Sequence, residues 1–280
     1  MSLKSPFTSP MEKREEAKQC RERFANVNQS GNIKSDWITD MNAFEKWHQI
    51  IQKKGGMREA RRFCEENFLS FATLNEISAL KRQYADALTE IGFYDRHQQE
   101  KYNQHNDNMN LIKSVVFGGL NPNVAKIRMP DAKYDKVLSG TVEREKEAKE
   151  IKFYTKQDGR VFLHPSSVLF SNNQYNGSFL TYFSRMETTK IFLRDGTEVP
   201  SYAILFFGGR VDIDHFGRGL KVGEEGWIKF RAWARIGVLV NQLKRLLLDE
   251  LDSKIQDPTL DVSASRVVQT MISLITNNGV

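Results

Sequence analysis

The chain has 280 residues, of which 40% are hydrophobic and 27% are charged, and its formal net charge is +6. Its longest apolar stretches, such as Ile236–Val240, are far too short to cross a bilayer, and its first residues lack the apolar core of a secretory signal. Cys20 and Cys64 have no Cys or His nearby at metal-ligand spacing. Composition therefore argues against membrane and zinc-binding classes. The basic excess, which lies in the middle third, favours a polyanionic partner.

Helical periodicity dominates the first third of the chain. Ser9-Pro-Met-Glu12 and Thr73-Leu-Asn-Glu76 both match the capping box that opens a helix. Gly55-Gly56, Gly92 and Gly118-Gly119 provide stop signals. The predicted helices cover 9–26, 35–54, 57–68, 73–91 and 108–117. Their apolar faces are interpreted as packing surface.

The pattern changes at Leu120-Asn-Pro-Asn123, where short β-rich runs begin. Asp158-Gly159 and Asp195-Gly196 each lie between two such runs, which predicts hairpins there. Asp212-Ile-Asp-His215 is read as a loop, and Glu143–Glu150 as an exposed loop or short helix. The predicted strands cover 124–129, 151–155, 161–163, 179–185, 190–193, 203–207 and 227–230. So many short strands in about 110 residues are typical of a small barrel or sandwich.

Two helices, from Ala232 to about Ile255 and from Ser263 to Ile275, are predicted for the tail. The fold class expected from these segments is α+β. Residues 1–118 are predicted to form a helical bundle and residues 119–231 a β-barrel of about five strands. Residues 232–280 are predicted to form helices that pack back against the rest of the chain.

Motifs for catalysis are missing from the sequence. No Gly-x-x-x-x-Gly-Lys-Ser/Thr loop is present to hold nucleotide phosphates. Ser166 and Ser167 follow a histidine, but no Gly-x-Ser-x-Gly elbow surrounds them. The five histidines show no spacing for a metal site. We therefore expect neither an enzymatic activity nor a cofactor in this chain.

Four groups of segments stand out along the chain. They are Ser5–Pro10 with Lys13–Ala17, Asn42–Trp47 with Phe63–Leu69, Gly118–Ala125 with Leu163–Val168 and Thr188–Asp195, and finally Ala234–Leu243. In this order they resemble the C-terminal region of DEAH/RHA-type ATP-dependent RNA helicases. His164-Pro-Ser-Ser167, Thr188-Thr-Lys190 and Leu193-Arg-Asp195 are the most specific of the matches. The tail is most similar to the RHA/maleless-like branch.

The resemblance implies that the helical bundle is a ratchet-like domain and that the barrel is an OB-fold. It also implies that two RecA-like domains and a winged helix would lie upstream in the parent protein. The parent would be an ATP-dependent RNA helicase that uses ATP and Mg²⁺, whereas this region would be an accessory part that guides single-stranded RNA. A cytoplasmic or nuclear location follows from the same resemblance.

Candidate RNA-binding residues come from the matched motifs and from strand alternation. Lys126 and Arg128 alternate along the first predicted strand, so both side chains can project from one face. Histidine can stack on a base or hydrogen-bond to it, and serine hydroxyls can donate to phosphate oxygens. The complete predicted set is Lys126, Arg128, His164, Ser166, Ser167, Thr188, Thr189, Lys190 and Arg194.

Alternatives remain open at this stage. His164 can instead be a structural hydrogen-bonding residue at a strand end, Ser166 and Ser167 can simply cap a turn, and Arg194 can brace a hairpin. Tyr182 and Phe183 are interpreted as one core and one surface residue. The whole region can also be a protein-interaction platform for G-patch-type activators or for docking on ribonucleoprotein.

Overall fold

A computed structural model describes residues 4–25, 33–53, 56–132, 134–137, 140–143, 146–216 and 219–278. Helices precede residue 121, strands and one short helix occupy the middle, and helices return after residue 233. The α+β fold class is therefore confirmed. None of the helices in the described ranges is both long and apolar enough to cross a membrane.

The N-terminal helices follow the predicted order. They are α1 (Arg14–Ala25), α2 (Asp36–Ile51), α3 (Gly56–Glu66), α4 (Phe71–Glu90), α5 (Gln99–Tyr102) and α6 (Met109–Leu120). The predicted cap of α4 was wrong by one turn: the Ser70 hydroxyl accepts the Thr73 N–H at 3.2 Å, so Ser70 caps the helix and Thr73 lies inside it. The first helix opens with a short 3₁₀ turn, Met11–Lys13, whose N-cap, Pro10, makes no side-chain capping bond.

Strands of the middle region form one large mixed sheet. They are β1 (Val124–Arg128), β4 (Lys152–Thr155), β5 (Gly159–Leu163), β6 (Phe179–Thr181), β7 (Ser184–Glu187), β8 (Ile191–Arg194) and β9 (Thr197–Val199). The order is β7-β8-β5-β4-β1-β6-β9, with β5 and β8 parallel and the other pairs antiparallel. A small separate hairpin pairs β2 (Tyr134–Val137) with β3 (Gly140–Glu143).

This sheet must curl, because β6 and β7 lie far apart in the strand order yet are joined by only Tyr182 and Phe183. The sequence predicted a single strand over 179–185, and the structure interrupts it at Tyr182 and Phe183, where the chain passes from β6 to β7. Tyr182 is buried and Phe183 is partly exposed, which confirms their interpretation as one core and one surface residue. The barrel interior is filled by residues that include Ala125, Phe153, Val161, Leu180 and Leu193.

The predicted strand over 203–207 was wrong. Ser201–Phe207 is a helix, α7, that follows Pro200 and ends at Gly208. Its buried residues are the consecutive Ala203, Ile204, Leu205 and Phe206. Such a run of apolar residues shows neither a helical nor a strand period. A continuous apolar run of this length does not distinguish a buried strand from a buried helix, which explains the error.

Of the two predicted Asp-Gly hairpins, one was correct. Asp158-Gly159 joins the antiparallel pair β4 and β5. Asp195-Gly196 does not make a hairpin, because β8 pairs with β5 and β7 whereas β9 pairs with β6. Asp195 has a φ of 55°, and the chain there crosses from one edge of the curled sheet to the other.

A second sheet follows α7. Its order is β10-β11-β12, formed by β10 (Val211–Asp214), β11 (Gly219–Val222) and β12 (Ile228–Arg231). Asp212 and Asp214, predicted to lie in a loop, therefore belong to a strand. This sheet packs with α6, α7, α8 (Ala234–Gln256) and α9 (Arg266–Thr276) in a core that also includes Val124, Phe179 and Val199 of the barrel.

Candidate nucleic-acid interface

The outer surface of the barrel, on strands β1, β4, β5, β8 and β7, combines cations with aromatic rings. Paired residues on neighbouring strands point to the same side of a sheet. One row runs from Lys126 through Tyr154 to Arg160, and another from Phe162 through Phe192 to Met186. We call this surface the barrel face and define it by Lys126, Arg128, Lys152, Tyr154, Arg160, Phe162, His164, Lys190, Phe192 and Arg194.

Phe162 is the centre of the barrel face. The Lys190 ammonium lies 4.7 Å from its ring centroid and the Arg160 guanidinium carbon lies 5.1 Å from it. Phe192 lies beside it at a centroid distance of 6.2 Å. Cations placed over aromatic rings are held in position while their remaining donors stay available. The ring pair therefore forms a platform with positive charge from β5 itself and from the turn before β8.

His164 extends the platform. Its ring lies 6.1 Å from Phe192 in an edge-to-face arrangement. The Ser166 amide donates to its Nδ1 at 3.2 Å and the Ser166 hydroxyl lies 2.7 Å from the same atom, so we infer that the proton is on Nε2. Partial burial, followed by the charge of Arg194, lowers the pKa of His164 below its usual value. The ring is therefore neutral near pH 7 and presents an N–H donor.

Thr188, Thr189 and Lys190 form the turn of the hairpin that joins β7 and β8, and all three are exposed. The Thr188 hydroxyl donates to the Lys190 carbonyl at 3.1 Å and so shapes the turn. Because Lys190 lies over Phe162, the structure brings this turn next to β5, which pairs with β4 as the third and second strands of the barrel. In OB-folds that strand pair and the loop between the fourth and fifth strands bind oligonucleotides.

Lys126 and Arg128 are both exposed on β1, as strand alternation predicted. Lys126 is paired with Tyr154, and Arg128 with Lys152. Among the described residues, the cations of the barrel face form no ion pair with a carboxylate, although other cations of the chain do. Positive charge beside half-buried rings gives the face a positive potential and stackable surfaces.

Ser167 differs from the other predicted site residues because it is buried. Its hydroxyl donates to Asp36 Oδ2 at 2.6 Å and accepts from the Leu169 N–H at 3.1 Å. Ser166 is exposed, and its carbonyl accepts a hydrogen bond from Arg21. The two serines therefore have different surroundings, and only Ser166 is accessible to a ligand.

Asp36 anchors the loop that carries His164. Its carboxylate is 1% exposed and accepts hydrogen bonds from the Ser167 hydroxyl, the Val168 and Gly196 amides (2.9 Å each) and Arg21 (3.2 Å). We call these five residues the Asp36 cluster. It joins α1 and α2 to the loop after β5 and to the connection between β8 and β9. The N-terminal helices therefore fix the position of the loop that follows His164.

Sequence reasoning missed several residues of the barrel face. Arg160 and Phe162 alternate with buried Val161 and Leu163, and Phe192 alternates with buried Leu193. The period of two in Gly159-Arg-Val-Phe-Leu163 is a signal that could have identified the exposed members. The Asp36 cluster has no such signal, because its members are far apart in sequence, with 160 positions between Asp36 and Gly196 alone.

A cleft of about 900 Å³ lies between α2, α4 and α6. Its wall is mainly apolar, from residues such as Trp37, Ile77, Leu80 and Tyr84, and Asp40 lies at its border. Burial, partly offset by Arg21, raises the pKa of Asp40 to about 7.

The described residues include no group of three or more His, Cys, Asp or Glu side chains that could hold a metal ion.

Comparison with known proteins agrees with this geometry. Residues 112–211 match the family described as the oligonucleotide/oligosaccharide-binding (OB)-fold, and residues 221–277 match the C-terminal domain in RNA helicases. The chain therefore contains a segment of the OB-fold family followed by a segment of the RNA helicase C-terminal domain family.

Three relatives show which kind of helicase this region resembles. The chain is 39% identical to the DEAH-box ATP-dependent helicase candidate UM11114 of Mycosarcoma maydis over 92% of its own length and 18% of the relative's. It is 32% identical to the DExH-box ATP-dependent RNA helicase DExH1 of Arabidopsis thaliana, over 98% of the chain and 25% of the relative. It is 35% identical to the human ATP-dependent DNA/RNA helicase DHX36, over 92% of the chain and 24% of the relative. The chain is similar to DEAH/DExH-box helicases and contains matches to an OB-fold and to the C-terminal domain in RNA helicases, and it spans a quarter or less of these relatives.

Proposed function

We propose that this chain is an RNA-binding accessory region of a DEAH-box helicase, and that it holds single-stranded RNA across the barrel face. The observation that carries the proposal is the pair Phe162 and Phe192, flanked by cations that form no ion pair among the described residues. Aromatic rings stack on any base, and cations attract any phosphate, so this combination suits single strands without strong sequence preference.

Each group has a distinct role in the proposed site. Lys126, Arg128, Lys190 and Arg194 attract phosphates, and Arg160 does the same from β5. Phe192 stacks on a base, the neighbouring Phe162 ring holds Lys190 and Arg160 in position, and His164 donates its Nε2 proton to a base edge. Ser166, Thr188 and Thr189 are exposed and supply hydroxyl contacts, whereas Ser167 is left out of the proposed contact set because its hydroxyl is buried against Asp36.

In the parent protein, RecA-like domains using ATP and Mg²⁺ and a winged helix would lie upstream, and this region would couple RNA to them. The Asp36 cluster supports such coupling, since it joins the helices directly to the loop beneath the barrel face. We place the parent in the cytoplasm or nucleus, where its RNA would be. The nature of the RNA would then be set by the whole helicase.

The test is binding of a labelled single-stranded RNA by the 280-residue chain at several salt concentrations. We expect Lys190→Ala and Arg194→Ala each to weaken the binding of all RNA sequences alike. Each should also reduce the slope of the logarithm of the binding constant against the logarithm of the salt concentration by roughly 0.7, because each removes one phosphate contact. His164→Ala should weaken binding by about 1–3 kcal/mol with an unchanged salt slope, because the ring is neutral.

Arg245→Gln is the matched control, since Arg245 is an exposed cation on α8 and lies outside the barrel face. It should leave affinity unchanged. The melting temperature of every variant is measured alongside. Folded variants at positions 164, 190 and 194 that bind like the wild type would show that the barrel face is not the RNA site.

The cleft between α2, α4 and α6 favours a second candidate function, a protein-interaction platform. Its apolar wall and the exposed Tyr84 and Val115 suit an inserted apolar side chain better than a phosphate. The proposed partner is a G-patch-type activator or a ribonucleoprotein component. Tyr84→Ala should then weaken binding of such a protein in a pull-down with purified components and leave RNA affinity unchanged.

A further inference from the structure

The strand β12 and the residues that follow it carry a second basic and aromatic surface. In Lys229-Phe-Arg-Ala-Trp233, every second residue is exposed, and Ala234 and Arg235, the first two residues of α8, are exposed as well. Phe230 and Ala232 point inward and pack against the C-terminal core. Trp233 has extended backbone (φ −69°, ψ 146°), so the alternation continues to the start of α8. We define the basic strip as Lys229, Arg231, Trp233 and Arg235.

Trp233 is unusual for its exposure. Its side chain is 73% exposed, and Phe216, near the tip of the β10–β11 hairpin, is fully exposed. Gly219 of that hairpin pairs with Arg231, so the hairpin tip and Trp233 lie at the same end of the three-stranded sheet. Two exposed aromatic residues at one end of a sheet present a stacking surface that nothing in the described chain covers.

The charges around the strip are uncompensated. On the outer side of this sheet Asp212 pairs with Arg210 at 2.7 Å and Asp214 pairs with Lys221 at 3.0 Å. Lys229, Arg231 and Arg235 form no ion pair with any described residue. The two nearby carboxylates are thus already neutralised by other cations, which leaves the strip with a net positive charge that suits a polyanion.

The strand β12 lies next to the barrel. Phe230 contacts Phe179 at a centroid distance of 5.4 Å, and Phe179 is the β6 partner of Lys126. Glu225, just before β12, forms an ion pair at 3.2 Å with Lys156 in the turn between β4 and β5. β12 is therefore in contact with the barrel, and the basic strip lies on the outer side of this strand, opposite to Phe230.

From these observations we propose that the basic strip is a second contact site for single-stranded RNA, which stacks a base on Trp233 and binds phosphates through Lys229, Arg231 and Arg235. The proposal rests on the proposed function, because it extends the path of the same RNA beyond the barrel. β12 is an edge strand of its sheet, so an extended ligand can lie along it without displacing another strand.

The experiment compares two polyuridine strands on the 280-residue chain, one of about 6 nucleotides, within the range of a single OB-fold, and one of about 20, beyond that range. Trp233→Ala should lower the affinity for the longer strand about tenfold, which corresponds to the loss of one stacked base. The affinity for the shorter strand should not change. The Lys229→Gln/Arg231→Gln double variant should lower the salt slope of the longer strand by about 1.4. Trp233→Phe keeps a ring and should retain most of the affinity.

Two controls separate this proposal from the previous one. Arg245→Gln should change neither strand, and Lys190→Ala should weaken both. If the strip variants bind both strands like the wild type while Lys190→Ala weakens them, the strip proposal fails and the barrel face stands. If Lys190→Ala is also silent, both proposals fail. If the strip variants keep RNA affinity but lose binding to phosphatidylserine vesicles, the strip is a membrane contact and the RNA proposal is overturned.

Discussion

At the scale of single residues, Asp36 links the parts of the molecule most directly. One buried carboxylate accepts hydrogen bonds from a guanidinium, a hydroxyl and two backbone amides that belong to three separate stretches of chain. Burial of a charge is unfavourable unless it is paired and fully hydrogen-bonded, and Asp36 is both. Its removal would leave Arg21 without its buried partner and the loop after β5 without its anchor.

We expect Asp36→Ala to destabilise the chain by about 3–5 kcal/mol, as for other buried ion pairs that lose one partner. Urea unfolding followed by circular dichroism measures this. Glu66→Ala is the control, because the Arg62–Glu66 pair at 2.7 Å is exposed to solvent and its loss should change the free energy of unfolding far less. Equal losses in the two variants would contradict a structural role for the Asp36 cluster.

At the scale of elements, close packing decides where α8 lies. A Cβ added at Gly237 would come within 2.5 Å of Leu220 and 2.8 Å of Ile213, so the helix lies against β10 and β11 at a distance that only glycine permits. Gly119 in α6 has no atom within 4 Å of the equivalent position. Both glycines are helical, yet only one is required by its neighbours.

Gly237→Ala should therefore destabilise the chain by about 1–3 kcal/mol, since the sheet or the helix must shift to accommodate the methyl group. Gly119→Ala should raise stability by about 0.5–1 kcal/mol, because alanine favours the helix and meets no obstacle. Thermal unfolding of the two variants checks the difference in sign. A stabilising Gly237→Ala substitution would be inconsistent with the observed helix–sheet contact.

Elements also show how far local patterns extend. Asp158-Gly159 makes the predicted hairpin, because the two strands beside it pair with each other. Asp195-Gly196 has the same residues, but the Gly196 amide donates to Asp36 and its carbonyl accepts from the Asp36 amide, both at 2.9 Å. Ser35 forms a bridge with Thr197 just beyond. The partner of this turn is therefore a distant segment, and no local pattern could have indicated it.

At the scale of the whole molecule, the barrel and the C-terminal segment share a core. Val124, Phe179 and Val199 on the barrel pack with Leu220 of the second sheet and Val240 of α8. The boundaries predicted at 118 and 231 stay predictions, but the shared core implies that the tail does not fold independently of the barrel. Buried apolar contacts of this kind supply most of the stability of a domain.

A fragment of residues 1–231 should therefore lose its cooperative unfolding transition, because it would expose the faces of Leu220 and Phe179 that α8 and its neighbours cover. Binding of a hydrophobic dye should rise, and near-ultraviolet circular dichroism should weaken. These two signals are compared with those of the 280-residue chain. A truncated chain with the original transition and no dye binding would show that the helices after 232 are a separate unit.

The sequence by itself determined the order of helices, strands and helices, the α+β class and the likeness to DEAH/RHA-type helicases. These features follow from period, caps and short motifs, which act between residues close together in the chain. It also located one side of the barrel face, at Lys126 and Arg128, through strand alternation. Only the tertiary structure decided that Ser201–Phe207 is a helix and that Ser167 is buried. It alone brought Lys190 over Phe162 and joined Asp36 to Gly196. Those outcomes depend on contacts between residues far apart in sequence, and such contacts form only when the sheet curls and the helices pack against it.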